Sequence, residues 1–83
     1  MIPKNSVEMT GLVHDTLIEM GVNRDEFYYV GPESDDEFTI EVYSGPLGRM
    51  VIEVYCNMDI DICTESDEFL ARIKEICPGE INS

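Results

Sequence analysis

Hydrophobic positions recur along this chain in two rhythms. In residues 5–20, Met9, Leu12, Val13, Thr16, Leu17 and Met20 fall at i, i+3, i+4, i+7, i+8 and i+11, a single stripe on a helix. Asn5 or Ser6 is placed to cap its start, and Glu8 stands where a capping-box acid would help Asn5. Gly21 follows the last apolar position as a C′ residue, with Val22 able to fold back on Leu17 in a Schellman-type contact. Gly11, inside the helix, either weakens it by ~1 kcal/mol relative to alanine or marks a close packing contact.

From residue 27 the rhythm shortens to two. Phe27-Tyr28-Tyr29-Val30 is aromatic and β-branched and reads as a short strand, and residues 31–36 read as a turn. A second strand covers residues 37–43, with Phe38, Ile40 and Val42 on one face and Thr39, Glu41 and Tyr43 on the other. Residues 44–48 form a hairpin loop around Gly45-Pro46-Leu47-Gly48. Residues 49–63 then alternate throughout. Met50, Ile52, Val54, Cys56, Met58, Ile60 and Ile62 are apolar, and Glu53, Tyr55, Asn57, Asp59 and Asp61 stand between them. This predicts one strand or two end to end, with a greasy face and a wet acidic face. Pairing about the 44–48 loop sets even residues opposite even residues, so the apolar faces of the two strands coincide. Fifteen residues is long for a single strand, and a break near Asn57 would put Asp59 and Asp61 on a separate loop, aimed elsewhere.

Thr64 or Ser66 caps a second helix that runs to about Cys77, with Glu65, Asp67 and Glu68 at its start and Arg72 and Lys74 later, as the helix dipole favours. Phe69, Leu70, Ile73, Ile76 and Cys77 form its stripe, Pro78-Gly79 ends it, and residues 80–83 read as a flexible tail. The expected fold is α+β: one domain over residues 1–83, two layers, order α-β-β-β-α, a three-stranded antiparallel sheet with both helices packed on one face. The order of elements is similar to that of double-stranded RNA-binding domains. The resemblance is one of layout, because the lysine-rich grip on phosphate which that function needs is missing.

Composition changes the picture through charge. At 83 residues and 43% hydrophobic the chain can bury one modest core and no deep cleft. Eighteen acidic residues against five basic give a net charge of −13, which opposes direct binding to nucleic acid or to anionic membrane and favours a basic protein surface. Met1-Ile2-Pro3-Lys4 leads into polar, helix-like sequence, so no signal peptide or membrane span is expected and the expected location is cytoplasmic. Solubility alone also favours acidic surfaces.

Catalytic and metal chemistry find little footing, and no cofactor is expected. Cys56, Cys63 and Cys77, with His14, have no zinc-knuckle spacing and read as core thiols. Residues 57–68 carry oxygen ligands at positions 1, 3, 5, 9 and 12 of an EF-hand-like loop. However, Ile62 occupies the position that calls for glycine, Asn57 replaces the first aspartate, and the preceding segment reads as strand. Weak calcium binding is the resulting alternative. His14 lies off the apolar stripe, exposed and idle, and lacks a base–orienter partner.

The candidate site is therefore the wet face of the sheet: Thr39, Glu41, Tyr43, Glu53, Tyr55, Asn57, Asp59 and Asp61, free of lysine and arginine. Glu33, Asp35, Asp36 and Glu37 form a second acidic cluster before the second strand. Carboxylates take bidentate arginine contacts, and tyrosines offer stacking faces. By size and charge the chain resembles the small acidic inhibitors that phages and mobile elements direct against nucleic-acid enzymes, a class that includes anti-CRISPR proteins, uracil-glycosylase inhibitors and nuclease immunity proteins. That resemblance implies a non-enzymatic mimic of nucleic-acid charge, blocking a basic nucleic-acid-binding surface of an enzyme or complex. The alternative is an acidic adaptor or regulatory subunit of a host complex. Whether the chain acts as a monomer or a homodimer does not follow from the sequence.

Overall fold

The computed structural model describes residues 2–30 and 37–83. Helix α1 (Ser6–Glu19) leads through a 3-10 turn (Arg24–Glu26) into strands β1 (Phe27–Val30), β2 (Phe38–Val42), β3 (Met50–Val54) and β4 (Ile60–Thr64); helix α2 (Asp67–Ile76) and strand β5 (Ile81–Asn82) follow. The class is α+β, with a mixed sheet of five strands in the order β1-β2-β3-β4-β5. The expected three-stranded antiparallel sheet is too small by two strands, and the order of elements departs from the double-stranded RNA-binding layout.

Each addition has a structural cause. The 49–63 alternation is an antiparallel hairpin, β3 pairing with β4 in the register Glu53↔Asp61 and Val54↔Ile60. A turn closes it: Met58 N–H donates to the Tyr55 carbonyl and Tyr55 N–H to that of Asp59, each at 2.9 Å, with Met58 in the left-handed region at φ 70°. This register pairs even residues with even residues, so the alternation passes through the turn unbroken. Residues 80–83, expected as a tail, contain β5, which runs parallel to β4 with Asp61↔Asn82 in register. It docks where Gly79 lets the chain pass close to the β3–β4 turn: a Cβ on Gly79 would lie 2.6 Å from the Met58 carbonyl oxygen. The Asp59 carboxylate accepts the Glu80 N–H at 2.9 Å, and the Glu80 carbonyl accepts from Ile60 N–H at 2.8 Å.

The helices follow their sequence signals. Asn5 Oδ1 accepts the Glu8 N–H at 2.9 Å and caps α1; the Glu8 carboxylate takes the N–H of Lys4, one residue earlier than a capping box would have it. At the other end, Gly21 (φ 95°) donates to Ile18 and Val22 N–H to Leu17, the two bonds of a Schellman motif. Ser66 Oγ caps α2 by accepting from Phe69 N–H at 3.2 Å.

Met9, Val13 and Leu17 of α1, Phe69 and Ile73 of α2, and Ile40, Val42, Met50, Ile52, Val54, Ile60 and Ile62 of the sheet make one buried cluster. Both helical stripes thus meet the even face of β2–β4, which leaves the odd face open. Thr16, in the α1 stripe, satisfies its hydroxyl on the Leu12 carbonyl at 2.8 Å. The thiols differ from expectation: Cys56 and Cys63 are exposed and only Cys77 is half-buried. Cys56 sits in the β3–β4 turn and Cys63 on the open side of β4, and neither position faces the helices.

Candidate functional site: the open face of the sheet

Register places the open face in rows. Thr39, Glu53, Asp61 and Asn82 follow one another across β2, β3, β4 and β5. Tyr28, Glu41, Val51 and Cys63 form the neighbouring row across β1 to β4. Adjacent strands are about 4.8 Å apart, so the Glu53 and Asp61 side chains rise side by side. Like charges directly opposite repel. Tyr55 relieves that repulsion: its hydroxyl donates to Asp61 Oδ2 at 2.6 Å and lies 3.2 Å from Glu53. Asn82 Nδ2 donates to the second Asp61 oxygen at 3.0 Å. These hydrogen bonds, Tyr55's first, hold the Asp61 carboxyl below the usual carboxylate range. Its acceptance of the phenolic proton raises the Tyr55 pKa, with added contributions from burial and from Glu53. Asp61 is therefore ionised and fixed in direction, with lone pairs left to accept further donors.

Glu41 is held in the same way. Tyr28 donates its hydroxyl to it, which raises the tyrosine's pKa. The rings of Tyr28 and Tyr43 lie 5.8 Å apart, and the Tyr43 hydroxyl donates to the Asp25 carbonyl. A shallow hollow of ≈ 390 Å³ lies among Tyr28, Glu41, Tyr43, Arg49, Val51 and Cys63. Arg49 corrects the expectation that the face is free of cations, and Val51 and Cys63 interrupt its acidity.

Of the expected site residues, Glu41, Glu53, Tyr55 and Asp61 come together on this face, with Tyr43 at one end. Asp61 does not leave with the turn, because the even pairing returns it beside Glu53. Asn57 and Asp59 do leave. The Asn57 side chain bonds to the Asp59 carboxylate and N–H, both at 3.0 Å, and Asp59 anchors Glu80, so these two shape the turn. Glu37 directly precedes β2 and is half-buried; Glu33, Asp35 and Asp36 lie outside the described residues. Tyr28 and Asn82 are the members of the face that the sequence does not announce. Phe27 pairs with Val42 and Tyr28 with Glu41, so β1 presents its even residues to the open face.

The twelve residues of the calcium-like stretch are divided among the β3–β4 turn, β4 and the start of α2. Among the described residues no group of three His, Cys, Asp or Glu side chains is placed to hold a metal ion. His14 is not idle: its Nδ1 is 2.8 Å from the Tyr29 hydroxyl, and its ring packs edge-on against Phe27 at 5.4 Å. Among the described residues no helix is long and apolar enough to cross a membrane. No protein family, curated protein or solved structure matches this chain.

Proposed function

We propose that this chain is a non-enzymatic binding protein whose open sheet face docks on a basic protein surface and occupies a site that nucleic acid would otherwise fill. The observation that carries the proposal is the pair Glu53 and Asp61, side by side on adjacent strands and sharing the Tyr55 hydroxyl. Carboxylates pre-positioned by neutral donors on a rigid sheet lose little side-chain freedom when an arginine arrives, and both remain able to accept its fork of N–H groups. The net charge of −13 adds long-range attraction for a cationic partner. An inhibitor of the anti-CRISPR or other anti-defence type, made by a phage or mobile element, would have these properties.

A second reading is supported by the row Tyr28, Glu41, Val51 and Cys63, in which one carboxylate stands among apolar and aromatic neighbours. An acidic adaptor or regulatory subunit of a host complex would use such a mixed surface, with binding that depends weakly on salt. The test is capture of partners from a host lysate on the immobilised chain at low and high salt, followed by elution with duplex DNA. Charge mimicry predicts a partner retained at low salt and released by DNA. A partner that DNA does not release favours the adaptor.

A further inference from the structure

We infer that the outer edge of β1 is a second binding surface, one that takes an extended, lysine- or arginine-bearing peptide segment as an added strand. It lies away from the Glu53–Asp61 pair and does not depend on the function proposed for that face.

β1 is an end of the sheet, and among the described residues no strand pairs with its outer side. The phase of its hydrogen bonds follows from one contact: Tyr43 N–H donates to the Glu26 carbonyl at 3.0 Å. In an antiparallel ladder every second residue bonds to the partner strand, so Tyr28 and Val30 face β2, and Phe27 and Tyr29 direct their N–H and C=O groups outward. Natural edges are blunted by proline, lysine or a bulge. β1 is Phe-Tyr-Tyr-Val, with Tyr28 and Tyr29 each 49% exposed and Val30 39%. Beside it, between the second half of α1 and residues 22–24, runs an open groove of ≈ 610 Å³ lined by His14, Asp15, Ile18, Glu19, Val22 and Arg24. His14 joins that groove to the strand through its contacts with Tyr29 and Phe27. A strand added to β1 would alternate its side chains between this groove and the flank of Tyr28 on the open face, the arrangement by which a peptide gains both backbone pairing and side-chain pockets.

Charge selects the occupant. Asp25 precedes β1, Glu37 lies at the other end beside the start of β2, and Asp15 lines the groove, with Arg24 the cation among them; the Glu26 carboxylate is turned to the Asn23 N–H and the Ser44 hydroxyl. A second copy paired antiparallel would bring Asp25 of one chain towards Glu37 of the other, like charge against like. A segment with a lysine or arginine near each end and alternating β-branched residues between would meet acid at both ends.

The probe is a short end-capped peptide of alternating valine and threonine with a lysine at each end, with a glutamate-ended twin as control. Amide hydrogen exchange on the unmodified chain is the readout. The lysine-ended peptide is expected to slow exchange at the Tyr29 amide by about tenfold or more, and the twin to leave it unchanged. The Phe27 amide, the other outward donor, is expected to slow with it; Tyr29→Pro removes one outward donor without touching the β1–β2 bonds and is expected to abolish the slowing at Phe27, whereas Tyr29→Phe, which loses only the hydroxyl, is expected to preserve it. Three results overturn the inference: no slowing with the lysine-ended peptide, slowing that grows with protein concentration in its absence (a second copy as occupant), or protection at Glu41, Glu53 and Asp61 with none at Tyr29. The last would place peptide binding on the open face and leave the proposed function standing.

Discussion

The Tyr55 hydroxyl sits between two carboxylates that face each other on adjacent strands, 2.6 Å from Asp61 and 3.2 Å from Glu53. One proton serves both, and the shorter contact shows where it lies. Tyr55→Phe removes that donor and leaves the cross-strand repulsion unrelieved. The Asp61 carboxyl then loses its largest stabilising contact, so its midpoint, followed by carboxyl carbon NMR, is expected to move up towards 3.8. The sign of the pH dependence follows. A depressed carboxyl contributes stability that is fully present above pH 3.8 and is lost as pH falls through the folded value. Tyr55, raised above 10.0, contributes stability present below pH 10.0 and lost as pH rises through its folded value. Tyr55→Phe should therefore flatten the stability profile at both extremes of pH.

Gly79→Ala tests the docking of β5. The added methyl would lie 2.6 Å from the Met58 carbonyl oxygen and 2.7 Å from the Asp59 carboxylate, so backbone must move. A loss of about 1–3 kcal/mol in urea denaturation is expected, as for other overpacked sites. Amide exchange at Ile60, whose N–H donates to Glu80, should speed up in the same variant.

Gly11 inside α1 and Gly21 just past its C-terminal end should respond to alanine with opposite signs. Gly11 has nothing within 4 Å of the place a Cβ would occupy, so no packing contact explains it. Gly11→Ala is expected to stabilise by about 0.5–1 kcal/mol. Gly21 holds φ at 95° to close the Schellman motif, and Gly21→Ala is expected to destabilise by about 1–2 kcal/mol. Thermal unfolding of the two variants side by side checks both.

The elements that were legible in sequence are those fixed by local signals. Asn5, Gly21 and Ser66 each mark a helix end with a residue whose chemistry is needed there, and the 44–48 loop carries two glycines at positive φ. The β3–β4 turn carries neither glycine nor proline, and Met58 takes the left-handed conformation without a sequence signal. Because the turn pairs Val54 with Ile60, the alternation looks the same for a hairpin as for one long strand. β5 is two residues long and rests on a contact between Gly79 and a turn about twenty residues earlier, which no local pattern encodes. Glu41, Glu53 and Asp61 were found by parity. Their partners Tyr28 and Asn82 depend on the registers of β1 and β5, and Phe-Tyr-Tyr-Val has no alternation from which a facing could be read.

Charge mimicry by the open face is tested most directly by the affinity of the captured partner for this chain and for a Glu41→Lys, Glu53→Lys, Asp61→Lys variant whose fold is checked by circular dichroism, each at low and high salt and with duplex DNA as competitor. Charge mimicry predicts affinity that falls steeply with salt, drops by about tenfold or more in the variant, and is lost when DNA occupies the partner. Unchanged affinity in the folded variant, or a complex in which partner, DNA and this chain bind together, would contradict it.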